Sequence, residues 1–319
     1  MKLIVGDPHC KHSELIEMNL LMDSVEKEAL RAEVDSIILL GDLFDSHNLL
    51  RLEVIDFWQK RLAKLALIKP VIALVGNHDQ KGNVEEEWKL SSLTTLSNIP
   101  NLTVVNEPLI IGNWAYVPYT QNKELFISTA NNLAKTAKIL VCHQTFDGSV
   151  YDNGMYAPDG IDPTLIVGYD KIISGHIHKF QEFSNIIYVG TPRWMSISDA
   201  NQDKGIWLTD GKDFKMVSLG GVLSKVVQIE LTEESTEEPV FDKKDKNYLI
   251  LKGNSQWITK TAKKYKGFAR IVPKPTDVKL QSLSEKSKSS NFSEYLQAYL
   301  KEKNKKVDFT QVLVYIESI

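Results

Sequence analysis

Ligand-type side chains follow apolar, strand-like runs at several points along the first two thirds of the chain. The runs "KLIVGDPH", "SIILLGD", "VIALVGNHD", "KILVCH" and "KIISGHIH" all end on carboxylate, amide or imidazole groups. The residues concerned are Asp7, His9, Asp42, Asn77, His78, Asp79, His143, His176 and His178. Because the carboxyl ends of strands in an α/β sheet meet at one edge, we expect these side chains to converge there. So dense a group needs cations or water between its members, which predicts a metal centre.

The residue types also indicate the chemistry of this centre. Mixed oxygen and imidazole ligands favour divalent manganese, iron or zinc over an all-oxygen calcium or magnesium site. One carboxylate shared by two metals would hold them about 3.5–4 Å apart, which suits in-line attack on phosphorus. Side chains alternate between the two faces of a strand, so His176 and His178 lie on one side of a strand end and each can bind one metal. Taken alone, each of these residues would more often make a structural hydrogen bond or cap a helix. The prediction of a metal centre depends on the complete set in this order.

The elements that must position these residues alternate between strands and helices. Residues Ser13 to Arg31 have helical spacing, and the amphipathic run Arg51–Ile68 is closed by Lys69 and Pro70. The other strand-like runs are "LTVVN", "WAYVPY", "NIIYVG" and "GIWLTD". This alternation predicts an α/β domain whose apolar strands are covered on both faces.

Composition places the chain among ordinary globular proteins. It has 319 residues, of which 43% are hydrophobic and 25% charged, so we expect one large domain with one or two small ones. No apolar run approaches the roughly 18 residues of a membrane helix, and the first ten residues do not resemble a signal peptide. Cys10 and Cys142 are too few for a disulfide framework and are predicted to be buried thiols. We therefore expect a cytoplasmic protein with no membrane contact.

The C-terminal third has a different character. Residues 241–319 contain 17 Lys and Arg against 8 Asp and Glu, whereas the whole chain has a net charge of −3. A basic segment suits a polyanion or an acidic partner, although a solvated lysine-rich face would look the same. After an acidic loop, "ELTEESTEEP", a small strand–helix–strand module is predicted. Two short amphipathic helices follow a polar stretch, and they must pack on something in this chain or another.

The five stretches "GDPH", "GDLFD", "GNHD", "VCHQ" and "SGHIH" resemble, in order, the signature of calcineurin-like metallophosphoesterases. The resemblance implies a two-sheet α/β sandwich flanked by helices, with a small α+β capping domain and C-terminal helices. It implies two divalent metal ions, most often Mn²⁺. The implied ligands of the first metal are Asp7, His9, Asp42 and His178, and those of the second are Asp42, Asn77, His143 and His176. His78 would lie over the scissile phosphate to protonate the leaving oxygen, with Asp79 orienting it.

Two further stretches, "GDLFDS" and "IIYVGTPRWMSISDANQDKGIWLTD", are similar to SbcD-type nuclease subunits, above all to phage-encoded ones. This similarity implies a DNA nuclease with 3′→5′ exonuclease activity on duplex ends and endonuclease activity on single strands. It also implies a homodimer whose C-terminal helices bind an SbcC-type coiled-coil ATPase. The implied domains are residues 1–222 (nuclease), 223–280 (DNA-capping) and 281–319 (linker and partner helices). The alternative is a metallophosphatase acting on phosphomonoesters or phosphoproteins.

Candidate DNA contacts lie in the basic stretch "TKTAKKYKGFAR", where cations would contact the phosphate backbone without reading its sequence. They are Lys260, Lys263, Lys264, Lys266 and Arg270. His47 is either a further DNA contact or a bystander in a surface loop. The helix Arg51–Ile68 with the segment from Trp88 to Leu96 is the candidate dimer surface, unless the same helix face packs on the sheet.

Overall fold

The computed structural model of the chain describes residues 1–47, 49–81, 91–157 and 159–277. These residues form two compact units. The first comprises residues 1–229, 239–249 and 267–270, and the second comprises 230–238, 250–266 and the chain from residue 271. The predicted domain boundaries after residues 222 and 280 stay predictions. The two predicted C-terminal helices lie outside the described residues.

Four α-helices and fifteen strands occur in the described part of the chain. The helices are α1 Leu15–Ala29, α2 Leu52–Ile68, α3 Lys123–Leu133 and α4 Ser255–Tyr265. The strands are β1 Lys2–Val5, β2 Ser36–Leu39, β3 Val71–Leu74, β4 Leu102–Val105, β5 Leu109–Ile111, β6 Trp114–Val117, β7 Ile139–His143, β8 Lys171–Gly175, β9 Gln181–Phe183, β10 Ile186–Tyr188, β11 Gly205–Thr209, β12 Phe214–Ser218, β13 Val226–Thr232, β14 Lys246–Gly253 and β15 Arg270–Pro275. Across the described ranges, no helix has the length and apolar character needed to cross a membrane.

Two six-stranded mixed sheets form the first unit. The first sheet has the order β12–β11–β1–β2–β3–β4, in which β1 to β4 run parallel and β11 is antiparallel to β1. The second has the order β5–β6–β7–β8–β10–β9, with β6, β7, β8 and β10 parallel. A third sheet, of order β13–β14–β15, has three strands. The predicted two-sheet α/β architecture is confirmed.

Three apolar clusters hold the layers of the first unit together. One lies between the two sheets and includes Ile38 and Leu74 from the first and Tyr116 and Val141 from the second. Another packs α1 and α2 on the outer face of the first sheet, and the last packs α3 on the outer face of the second. Burial on both faces explains why the parallel strands read as continuous apolar runs.

The structure corrects two expectations. Strand β13 continues to Thr232, so the predicted acidic loop begins inside a strand. Helix α2 uses Phe57 and Trp58 in the core, where they are 7% and 0% exposed, so these residues cannot form a dimer surface. Leu52 and Leu67 of α2 are 80% and 88% exposed. The residues of the proposed dimer segment between 88 and 90 lie outside the described part, and dimerisation stays a prediction.

Candidate metal centre

Five loops bring the ligand-type residues together at the carboxyl ends of parallel strands. Strands β1, β2 and β3 of the first sheet lead into the loops of Asp7 and His9, of Asp42, and of Asn77 and His78. In the second sheet, β7 ends on His143 and β8 leads into His176 and His178. The site therefore lies where the two sheets present the same ends. This is the edge at which α/β sheets bind ligands.

One group of donors gathers around the loop after β1. The Nε2 atoms of His9 and His178 lie 3.1 Å apart, and His9 Nε2 lies 3.5 Å from Asp42 Oδ2. The donor atoms of Asp7, His9 and His178 all lie within 4.8 Å of one another. Two facing imidazole nitrogens beside two carboxylates form the kind of nitrogen and oxygen donor set that divalent transition metals bind.

A second group gathers around Asn77. Its Oδ1 atom lies 2.9 Å from His143 Nε2 and 2.8 Å from His176 Nδ1. His143 Nε2 also lies 3.3 Å from Asp42 Oδ2, so Asp42 lies between the two groups. The other nitrogen of the His143 ring, Nδ1, is 2.8 Å from the Leu40 carbonyl oxygen, which turns Nε2 toward the site. Such a bond to the remote nitrogen is usual for a metal-binding histidine.

The donor set fits a pair of divalent cations. Asp7 Oδ1 is buried and has no hydrogen-bond partner within the described residues, an arrangement that is costly unless an ion satisfies it. The amide oxygen of Asn77 is an acceptor on which two imidazole nitrogens converge. The donor atoms thus gather at two neighbouring positions that share Asp42.

The backbone of the site is strained at the candidate ligands. His9, Asp42 and His176 have φ angles of 43°, 50° and 81°, in the left-handed region that side chains rarely adopt. Strain of about 1–3 kcal/mol per residue is typical where function requires a fixed geometry. Gly175 allows the close approach of the loops, because a Cβ there would lie 2.6 Å from Asp7 Oδ1 and 2.7 Å from His143 Nδ1.

Burial and mutual charge shift the pKa values of the buried groups in opposite directions. Burial raises the pKa of Asp7 to about 7, although the His143 imidazole opposes the rise. Burial would lower the pKa of His143, but the carboxylates of Asp42 and Asp7 raise it to about 9. Burial lowers the pKa of His176 to about 3 and that of His178 to about 4. His176 and His178 are therefore neutral near pH 7, as metal-binding imidazoles must be.

His78 and Asp79 make their hydrogen bonds to different partners. The carboxylate of Asp79 is buried and accepts hydrogen bonds from the main-chain N–H groups of Phe44 and Gly76, both at 3.1 Å. His78 is fixed instead by its Nδ1 atom, 2.8 Å from the Asp45 carbonyl oxygen, and by the ring of His47 stacked on it. The role of Asp79 in orienting His78 stays a prediction. Asp79 holds the backbone of the turn that carries Asn77 and His78.

An open cavity of about 340 Å³ faces this centre. His78 forms part of its wall, as do the four candidate ligands Asp42, Asn77, His176 and His178, and the sequence reasoning missed the rest of the wall. That part consists of Tyr151, Asp152, Asn153 and Ser198. Asp152 Oδ2 lies 3.9 Å from His178 Nδ1. The polar run "YDNG" was the available signal, but it follows no strand directly and reads as an ordinary loop.

The candidate DNA contacts of the basic stretch lie on α4 and on the residues that follow it. Lys260, Lys263 and Lys266 are exposed on or just after α4. Lys264, also exposed, forms an ion pair with Glu238 at 2.5 Å. The Arg270 guanidinium lies 5.7 Å from the ring centroid of Tyr248. Their role in DNA contact stays a prediction, as does that of His47.

Comparison with known proteins agrees with the geometry. Residues 3–180 match the family model of calcineurin-like phosphoesterases. The chain is 25% identical over 179 residues to Exonuclease subunit 1 of Enterobacteria phage T4, covering 54% of this chain and 52% of that protein. It is 24% identical to the D subunit of the nuclease SbcCD of Staphylococcus saprophyticus, covering 70% and 69%. It is 25% identical to the DNA double-strand break repair protein Mre11 of Nanoarchaeum equitans, covering 59% and 58%. The chain thus spans about half the length of the phage relative.

Proposed function

Because the chain belongs to the calcineurin-like phosphoesterase family, we propose that it is the nuclease subunit of an SbcCD-like DNA repair or recombination complex. The observation that carries this proposal is the convergence of seven donor residues beside a cavity, which four of them line together with His78. The nuclease names of the phage, bacterial and archaeal relatives support DNA as the substrate.

Two Mn²⁺ ions are the proposed cofactors. Asp7, His9 and His178 would hold the first, Asn77, His143 and His176 would hold the second, and Asp42 would bridge them. A pair of divalent cations in such a site supplies positive charge to the phosphate oxygens and lowers the pKa of an attacking water. Shared use of one carboxylate explains why Asp42 lies within 3.5 Å of imidazoles from both groups.

His78 is the proposed proton donor to the leaving oxygen. Its Nδ1 atom is engaged by the Asp45 carbonyl oxygen, so Nε2 is the nitrogen left to act on a substrate in the cavity. Its main-chain N–H donates to Asp42 Oδ1 at 2.7 Å, which couples the position of the ring to the bridging carboxylate. A donor placed in this way contributes about 10²- to 10⁴-fold to a rate.

Contacts to DNA and to partners complete the proposal. The exposed lysines of α4 suit a phosphate backbone, because their charges carry no sequence information. An SbcC-type ATPase is the proposed partner, bound by the two predicted C-terminal helices, and a homodimer is the proposed assembly. The name of the staphylococcal relative, a subunit of SbcCD, supports the partner.

A nuclease assay with manganese tests the proposal. The full chain would be incubated with end-labelled duplex DNA, single-stranded circular DNA and, in parallel, a chromogenic phosphomonoester. The matched control is Asp42→Asn, purified identically, which removes the bridging charge and exposes any contaminating nuclease. We expect the wild type alone to degrade DNA, with the monoester left intact.

The opposite pattern has a clear meaning. Cleavage of the monoester with both DNA substrates intact, with and without an SbcC-type ATPase, would assign the chain to the phosphatases of the same family. The metal centre would then stand, and the basic residues of α4 would need another role.

A further inference from the structure

Two buried cations lie beside the proposed metal centre without lining its cavity. Arg193 and Lys204 are 0% and 3% exposed, and they are the buried Arg and Lys side chains of the described residues. Both lie on the segment between β10 and β11, after the last ligand motif. Burying a cation is costly unless its charge and its donors are matched, so the groups that each one bonds indicate what it holds in place.

Arg193 forms hydrogen bonds to the main chain of the loop that carries Asp7 and His9. Its Nε atom donates to the Pro8 carbonyl oxygen at 3.0 Å, and its Nη2 atom donates to the His9 carbonyl oxygen at 2.8 Å. Nη2 also donates to Glu14 Oε2 at 2.7 Å, which balances the charge. The planar guanidinium thus spans two successive carbonyls at the point where His9 adopts its left-handed backbone.

Lys204 holds the loop of the last ligand motif, which carries His176 and His178, in a similar way. Its Nζ atom donates to the His178 carbonyl oxygen at 2.9 Å and to Thr191 Oγ1 at 2.9 Å. Asp199 Oδ1, at 2.6 Å, supplies the balancing charge. The Thr191 main-chain N–H donates to the same His178 oxygen at 3.0 Å. The carbonyl of His178 is therefore held entirely by the segment that carries Arg193 and Lys204.

The other half of the centre is held differently. The Leu40 carbonyl oxygen fixes His143, and the Asp7 carboxylate accepts from the main-chain N–H of His176 at 2.7 Å. Both buried cations thus act on one donor group, that of Asp7, His9 and His178. Because outer contacts of this kind set ligand orientation, their loss should affect one metal position more than the other.

We infer that Arg193 and Lys204 are positioning residues that act on one half of the metal centre, the half built on Asp7, His9 and His178, more strongly than on the other half. This inference rests on the proposed metal centre. Arg193 and Lys204 then control the affinity for one metal without lining the cavity. Both residues lie beyond residues 3–180, the range that matches the family model.

Manganese binding by the full chain tests the inference. Arg193→Met and Lys204→Met remove the charges and donors while keeping most of the side-chain volume. Metal-free protein would be titrated with Mn²⁺, and free Mn²⁺ followed by electron paramagnetic resonance. We expect two sites in the wild type. Each variant should keep one site at wild-type affinity and lose about 10- to 100-fold in affinity at the other.

The matched control is Arg61→Met. Arg61 is also largely buried and paired with acids, Asp23 and Glu26 at 2.8 and 3.0 Å, but it touches no candidate ligand. Thermal unfolding in EDTA and far-ultraviolet circular dichroism show whether each variant folds. If Arg193→Met does not fold, Lys204→Met decides the matter, since it removes fewer hydrogen bonds.

The outcomes separate the two proposals. Two sites of wild-type affinity in both folded variants, or equal weakening of both sites, would overturn the inference and leave the metal centre intact. A wild-type protein that binds no Mn²⁺ would overturn the metal centre itself. Loss of one site in Arg61→Met would show that stability, and not positioning, governs metal affinity, which would also overturn the inference.

Discussion

The imidazole ring of His47 lies stacked on that of His78, with the ring centroids 4.1 Å apart and the planes inclined by 27°. Each ring also lies near a carbonyl oxygen of the other loop. His47 Nδ1 is 2.9 Å from the Asn77 oxygen, and His78 Nδ1 is 2.8 Å from the Asp45 oxygen. The loops after β2 and β3 are therefore locked together at the wall of the cavity. The orientation of His78 depends on this reciprocal contact.

His78→Ala should separate metal binding from turnover. The ring is proposed to act on the leaving oxygen and not to hold a metal, so we expect two bound Mn²⁺ ions and a fall in DNA cleavage of about 10²- to 10⁴-fold. Manganese titration and a single-turnover nuclease assay measure the two quantities. His12→Ala, at an exposed histidine, is the control. Loss of a metal in His78→Ala would make His78 a ligand, consistent with its proximity to His9 and Asp42.

His47 variants should test the stacking. His47→Ala frees the His78 ring and should lower kcat by roughly 10- to 100-fold, because a misplaced catalytic group costs about this much. His47→Phe keeps a stacked ring but loses the bond to Asn77. Its kcat should therefore lie between that of the wild type and that of His47→Ala. A raised KM with unchanged kcat would instead assign His47 to DNA binding.

The lysines of α4 should contribute to DNA affinity without sequence preference. The triple variant Lys260→Gln, Lys263→Gln, Lys266→Gln should weaken duplex binding and reduce the slope of log K against log salt by about 1 for each phosphate contact that it removes. Fluorescence anisotropy at several salt concentrations measures this slope. A control triple at exposed Lys27, Lys212 and Lys215 should leave the slope unchanged. An equal change of the slope in both triple variants would show that DNA binding depends on net charge alone and not on contacts by α4.

Metal binding should release protons in a number that depends on pH. His143, with a pKa raised to about 9, and Asp7, with a pKa raised to about 7, keep their protons up to those pH values in the metal-free protein. Both must lose them to bind a metal. We expect release of about one proton per chain at pH 8, from His143, and about two at pH 6. Calorimetry in buffers of different ionisation enthalpy counts them, and an equal count at both pH values would contradict the raised pKa of Asp7.

Gly175→Ala should disrupt the metal centre through sterics alone. The new methyl group would lie 2.6 Å from Asp7 Oδ1 and 2.7 Å from His143 Nδ1, so one side chain or the strand end must move. We expect manganese affinity to fall by about 10- to 100-fold. Gly221→Ala, whose Cβ would meet no atom within 4 Å, is the control. Wild-type affinity in Gly175→Ala would show that the site tolerates a shift of its carboxylate.

The ligand residues were open to prediction because they terminate apolar runs. Strands β1, β2, β3, β7 and β8 are buried on both faces, so each abrupt change to Asp, Asn or His is visible in the sequence. Helices α1 and α2 were predictable from their apolar spacing. The family match confirms the predicted calcineurin-like metallophosphoesterase. The three-residue strands β5 and β9 were missed, since so short an edge strand leaves no alternation to detect.

Residues that act through backbone groups were not predictable. Asp79 and Arg193 bond main-chain atoms of distant loops, and main-chain donors and acceptors are the same at every position. For His47, the two alternatives did not include packing on His78. The signal for Arg193 was its position as a cation within the otherwise uncharged run "GTPRWM". Such a run indicates burial, but it does not show which groups the cation bonds.

The place of β11 in the first sheet has a consequence for how the chain is made. Strand β1 pairs with β2 on one side and with β11 on the other, and β11 begins at residue 205. During synthesis at about 5–20 residues per second, one edge of β1 stays without its partner for roughly 10–40 s after it leaves the ribosome. An exposed apolar edge invites pairing with other chains. A ribosome stalled between β10 and β11 would therefore carry an aggregation-prone nascent chain that already contains every proposed metal ligand.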